Sequence, residues 1–164
     1  MKIERLNDKI VAIGPLDLLG CDLLHQIRVS AEPGDSVAAK ERLFPPPIRD
    51  KRSELRQEWK EFVEPELAQL FASHLDIIEN DLKNFPRGGS EEGSNTLHIP
   101  LKHLDAWIHG LNQARLSIAA RNNFTERDMD GPIPLQGDAR ALALFKVWFY
   151  GILEECFLRI LGAD

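Results

Sequence analysis

The chain has 164 residues, 43% hydrophobic and 28% charged, with a formal net charge of −6. That composition suits one soluble globular domain and leaves no basic footprint for nucleic acid or an anionic membrane surface, so neither is expected as a partner. Its two cysteines, Cys21 and Cys156, lie far apart in apolar contexts, which reads as buried thiols in a reducing, cytoplasmic compartment and not as a disulfide scaffold.

The start of the chain does not read as a signal peptide. Its apolar stretch from Ile10 to Leu24 is broken by Gly14, Pro15, Asp17 and Asp22, and Glu4 stands where a basic segment belongs. No run approaches the roughly 18 apolar residues of a membrane span. Residues 2–6 and 9–13 predict two strands joined at Asn7-Asp8. Pro15 is expected to open a helix carrying Leu16, Leu19, Leu23, Leu24 and Ile27, which stops before Pro33-Gly34. A short helix from about Ser36 to Leu43 follows, then Phe44 as an anchor and the stiff connector Pro45-Pro46-Pro47.

Asp50 to Leu82 predicts one long helix or two stacked ones. Leu55, Trp59, Phe62 and Val63 start an apolar stripe that Leu67, Leu70, Phe71, Ile77 and Ile78 continue, and Pro65, lacking the N–H that would bond Glu61, kinks or splits it. Residues 85–96 have the Gly- and Ser-rich composition of a mobile loop, and the alternation at Leu97-His98-Ile99 suits a third strand beside the first two. A helix from Leu101 to about Asn122 presents Leu104, Trp107, Ile108, Leu111 and Ile118 to the core. The last helix, Ala139 to Leu161, has Asp138 as its N-cap and Gly162 past its end. It is apolar almost all round, which predicts the central helix of the domain or a homodimer interface. The sum is a mainly α single domain over 1–164: a compact bundle of about five helices with a small N-terminal β-hairpin or three-stranded sheet.

Arg115 falls on the apolar stripe between Leu111 and Ile118, where a guanidinium needs a partner or an opening. Glu154 and Glu155, on a helix otherwise nearly free of charge, are the expected partners in an ion pair that fixes helix register. The alternative is an anion-binding arginine in a cleft shared with Asn112, three residues earlier. Glu126-Arg-Asp-Met-Asp-Gly131 has the first acids and the glycine of a calcium loop, but the twelfth position is Gly137. The simpler reading is a turn in which Thr125 and Asp128 cap a short helix. The histidines His25, His74, His98, His103 and His109 include no pair at the i, i+4 spacing of a helical zinc site. Asp105 and His109 suit a surface pair, and His74 a satisfied, partly buried histidine. No nucleophile elbow, phosphate loop, Cys-x-x-Cys or dinucleotide fingerprint occurs, so no cofactor or metal is implied. On the helix after Asp50, Arg52, Arg56 and Lys60 form a basic ridge beside an acidic one of Asp50, Glu54 and Glu58. Like charges four apart cost stability, so the ridges are a candidate partner surface.

Arg42-Leu43-Phe44-Pro45, Glu58-Trp59-Lys60, Trp107 with Leu111-Asn112-Gln113-Ala114-Arg115-Leu116, Arg121, Thr125-Glu126, and Trp148 with Gly151, Leu153, Glu154-Glu155 and Leu158 stand in the order of a known family. By these blocks the chain resembles the bacterial family catalogued as domain of unknown function 2017. Asn122-Asn123-Phe124 departs from the Gly-containing turn usual there. The resemblance implies a mainly helical cytoplasmic protein with no assigned activity, encoded in some genomes beside the Clp protease adaptor. Together with the missing catalytic motifs, it favours a non-enzymatic protein that binds a protein partner in a regulatory role. The alternative is a small-molecule or anion-binding domain with its cleft at Arg115 and Asn112.

Overall fold

The computed structural model describes residues 1–48, 52–87, 95–131 and 137–162. Strands β1 (Lys2–Arg5) and β2 (Ile10–Leu16) lead into helices α1 (Leu18–His25), α2 (Ile27–Ala31) and α3 (Val37–Leu43). Helix α4 (Glu54–Glu58) runs through a π-helical turn (Trp59–Val63) into α5 (Glu64–Leu82). Strand β3 (Asn95–Pro100) and a 3₁₀ turn (Leu101–His103) precede α6 (Leu104–Arg121), α7 (Glu126–Asp130) and α8 (Ala139–Leu161). The fold is mainly helical with a small sheet, as its sequence pattern implies.

The sheet is antiparallel in the order β1-β2-β3. Val11 opposes Ile99 and Ile13 opposes Leu97, and all four side chains are buried against the helices. The expected two-residue turn at Asn7-Asp8 is wider. Neither residue has the positive φ that a tight type I′ turn requires. The loop spans Leu6 to Lys9 instead, and Asn7 Oδ1 accepts from the N–H groups of Lys9 (2.8 Å) and Ile10 (3.0 Å). Pro15 does not start a helix. It lies within β2, which continues to Leu16, where Asn95 Nδ2 donates to the carbonyl at 3.2 Å. Asp17 is the N-cap, its carboxylate accepting from Gly20 N–H at 2.7 Å, and the expected single helix is divided at Gln26.

Helix α6 is the axis of the molecule, packed by α2, α3, α5 and α8. Leu104, Trp107, Leu111 and Ala114 are fully buried along it. This corrects the expectation that the last helix occupies the centre. Helix α8 buries Val147, Tyr150, Leu153 and Phe157 on one side, while Leu142, Trp148 and Leu158 are exposed on the other. Near-uniform apolarity set the expectation, but α6 occupies the centre with small residues, Ala106, Gly110 and Ala114, that admit neighbours closely. At Gly110 a Cβ would stand 2.3 Å from Ile78 Cδ1, so where α5 crosses α6 the Ile78 side chain would have to shift for any larger residue.

The stripe predicted across residues 55–78 is broken. Leu75, Ile78 and Leu82 are buried, but α4 and the π turn contribute no buried residue, and Leu55 and Phe62 are 57% and 62% exposed. The missing N–H of Pro65 is accommodated by the π turn just before it, not by a sharp break. One extra residue in a turn rotates the preceding stripe by about 100° relative to the following one, which swings it away from the core. Residues 54–63 therefore form an arm. Phe44 is anchored nearby, stacked on Phe71 with ring centroids 5.4 Å apart.

Asp81 ties α5 to α6. Its side chain is 5% exposed and accepts from Trp107 Nε1 at 2.9 Å and from His103 Nδ1 at 2.9 Å. Replacing Asp81 with Ala strands the fully buried indole N–H, an unmet donor that costs about 1–3 kcal/mol. Urea denaturation is expected to show a loss of about 2 kcal/mol for Asp81→Ala.

Candidate functional site

Arg115 leaves α6 toward α8 and pairs with Glu154, not Glu155. The Glu154 side chain is 14% exposed, so the pair is largely withdrawn from solvent on the carboxylate side. Glu155 lies on the outer face and pairs with Arg159 one turn on. The guanidinium reaches α8 because residue 151 is glycine: a Cβ there would stand 3.3 Å from Arg115 Nε. The sequence offers Glu154 and Glu155 as partners, and the contact is to Glu154.

Arg115 also lines a cleft of about 730 Å³ between α3, α6, α7 and α8, and Asn112 stands in the same wall. The sequence pairs Arg115 with Asn112 in one cleft but gives no sign of Arg42, which lines it from α3. Nothing in local spacing marks Arg42, because its helix meets α6 only through the tertiary fold. Phe124, Leu116, Met129 and Val147 make the apolar walls. The floor is closed by the turn after α6, where Asn123 takes a positive φ of 50° and Asn122 Nδ2 caps back to the Ile118 carbonyl at 2.8 Å. Asn123 supplies the left-handed residue for which glycine is otherwise the usual choice.

The acidic turn beside the cleft is used for capping. Asp128 accepts from the Thr125 N–H at 2.8 Å, Thr125 Oγ1 accepts from the Asp128 N–H, and Arg140 reaches the same carboxylate at 3.2 Å. The Thr125 backbone N–H and hydroxyl, with Arg140, hold the Asp128 carboxyl below its ordinary value. Residues 132–136, which a calcium loop would need, lie outside the described residues. Among the described residues no three His, Cys, Asp or Glu side chains converge to hold a metal ion.

The family described as domain of unknown function (DUF2017) matches residues 8–161, a span running from the turn before β2 through the last residue of α8. The chain belongs to the DUF2017 family. No curated protein and no solved structure matches it. The cleft, its Arg115–Glu154 pair and the arm all lie inside the DUF2017 span.

On the arm, Arg52 is exposed, while Arg56 and Lys60 border a groove of about 200 Å³ facing Lys40, Glu41 and Phe44 of the α3 segment. Arg56 also donates to the Ile48 carbonyl at 3.4 Å. The basic ridge thus turns partly toward the body of the domain. Glu54, Glu58 and Glu61 are exposed beside Leu55 and Phe62; Asp50, the first member of the predicted acidic ridge, lies outside the described residues, as does most of the predicted mobile loop, 88–94. The outward exposure of Leu55 and Phe62 was not foreseen, since their spacing looks like a core face.

Of the cysteines, Cys21 is buried and its thiol is pushed up by burial, whereas Cys156 is only half-buried. No helix among the described residues is long and apolar enough to cross a membrane. His109 sits 3.6 Å from Asp105 on the exposed side of α6, as expected. His74 is half-buried but not satisfied: its Nδ1 is covered without a hydrogen-bond partner, and its ring stacks on His109 with centroids 4.8 Å apart.

Two outcomes follow from these contacts. Arg115→Ala leaves Glu154 unpaired and is expected to lower stability by about 2 kcal/mol, while Glu155→Ala, losing an exposed pair, changes it by less than about 0.5 kcal/mol; thermal melts of both variants check the contrast. Burial, and then His109, lower the pKa of His74, with Asp105 opposing them. A histidine whose folded pKa lies below its unfolded value of about 6.5 contributes stability that is complete above that pH and is lost as pH falls through the folded value. The urea midpoint should therefore decline on acidification below about pH 6.5, and His74→Phe should flatten that decline.

Proposed function

We propose that this DUF2017 protein is a non-enzymatic, cytoplasmic interaction protein whose arm docks an amphipathic helix with basic residues beside its apolar stripe. The observation that carries the reading is the exposure of Leu55 and Phe62 on a helix with no buried residue. Large apolar side chains held out of a core suit an interaction surface where they adjoin in one patch, and Leu55 and Phe62 lie about two turns apart along the arm. Glu58 lies three residues after Leu55 and four before Phe62, and Glu54 and Glu61 flank it, so the free face is apolar with an acidic margin. A helix with apolar anchors and lysines or arginines complements both properties. The arm's placement outside the core lets a partner bind without disturbing the packing around α6. A regulatory or adaptor role in Clp-type protein turnover is the setting that the family resemblance supports.

Capture from native lysate, read by mass spectrometry, tests this with two arm variants, Leu55→Ser/Phe62→Ser and Glu58→Lys/Glu61→Lys, each first shown to melt as the unaltered protein does. The expected result is one partner held by the unaltered protein and depleted at least tenfold by both variants. A partner retained equally by the variants, or none at all, overturns the reading.

A further inference from the structure

The geometry points to a second, independent binding site: the cleft between α3, α6 and α7 takes a small organic acid, one carboxylate on an apolar tail. Its volume of about 730 Å³ lies within the range of small-molecule sites, roughly 300–1,000 Å³. Three polar side chains converge on it from two helices. Arg42 forms no ion pair among the described residues, and Asn112 makes no side-chain hydrogen bond among them. Arg115 spends a terminal N–H on Glu154 and keeps further donors. An arginine fork and a side-chain amide are the groups that hold a carboxylate in fixed orientation.

The charge count sets the class of anion. Arg115 is already compensated by Glu154, and Glu126 adds a negative charge at the rim. With Arg42, the cleft and its Arg115–Glu154 pair carry two positive and two negative charges, so the site is neutral overall and disfavours a phosphate dianion, and Arg42, without an ion pair among the described residues, is the cation left to meet a single carboxylate. Beside the polar Asn123 and Thr125, Leu116, Phe124, Met129 and Val147 offer an apolar wall against which a hydrocarbon chain buries, each methylene contributing favourably. The register-fixing pair thus has a second consequence, since Glu154 holds the Arg115 guanidinium at the cleft wall before any ligand arrives.

Isothermal titration calorimetry with octanoate, octanamide and acetate tests the site on the full chain. Octanoate is expected to bind at one site, with octanamide and acetate each at least tenfold weaker, because one lacks the charge and the other the tail. Arg42 is exposed and outside the core, so Arg42→Gln leaves the fold intact, as its melting temperature checks, and is expected to weaken octanoate at least tenfold; Asn112→Ala is expected to weaken it less. Octanoate that fails to bind, that binds no better than octanamide, or that binds Arg42→Gln unchanged overturns the proposal. Because neither variant touches the arm, failure here leaves the interaction reading standing, and the reverse also holds.

Discussion

A helix packed by four others needs partners for the polar groups it turns toward them, and that demand on α6 organises the molecule, with Gln113 Nε2 and Arg115 Nε left unmet among the described residues. Trp107 and His103 at its start share the Asp81 carboxylate of α5. Arg115 in its middle takes Glu154 of α8. Ser117 donates to the Glu32 carbonyl, and Arg121 near its end donates to the Ser30 carbonyl, both at the end of α2. Three of the four neighbours, α2, α5 and α8, are thus fixed by a directional contact as well as by apolar burial. Directional contacts of this kind select one register among several that packing alone would tolerate.

The same enclosure explains where the free surfaces lie. Once α2, α3, α5 and α8 have covered α6, the π turn before Pro65 turns the preceding helix outward, and Leu55 and Phe62 are left in solvent. The cleft opens where α6 ends and α7 and α3 approach without closing over it. Arg115 belongs to both arrangements: it fixes α8 and lines the opening. A stabilising contact and a cleft-lining group are therefore the same side chain, so a substitution at Arg115 would mix stability with any test of the cleft, and one at Arg42 would not.

Much of this was legible along the chain. Asp138 and Gly162 mark the ends of α8, Ser36 caps α3, and Thr125 with Asp128 closes the capping box. These are local signals, satisfied within one turn, and no distant residue can revise them. Arg115 was legible as a group in need of a carboxylate because a charge on an apolar stripe is a local contradiction. What misled was apolar content as a measure of centrality. Helix α8 is richer in large apolar residues, yet α6, with Ala106, Gly110 and Ala114, admits closer neighbours and takes the middle. Leu55 and Phe62 have the spacing of a core face, but burial depends on where the helix points, and the π turn decides that.

The sequence alone determined that this is a mainly helical domain with a short antiparallel sheet, where α3 and α8 begin and end, and that Arg115 needs a carboxylate from the last helix. Periodicity, capping and turn chemistry act over a few residues, so they are written in order along the chain. Only the tertiary structure decided that Glu154 and not Glu155 answers Arg115, that Asp81 holds Trp107, that Arg42 lines the same cleft as Asn112, and that the arm stays outside. Each of these depends on the relative rotation and translation of helices distant in sequence, and those are set by the packing of all of them at once around α6.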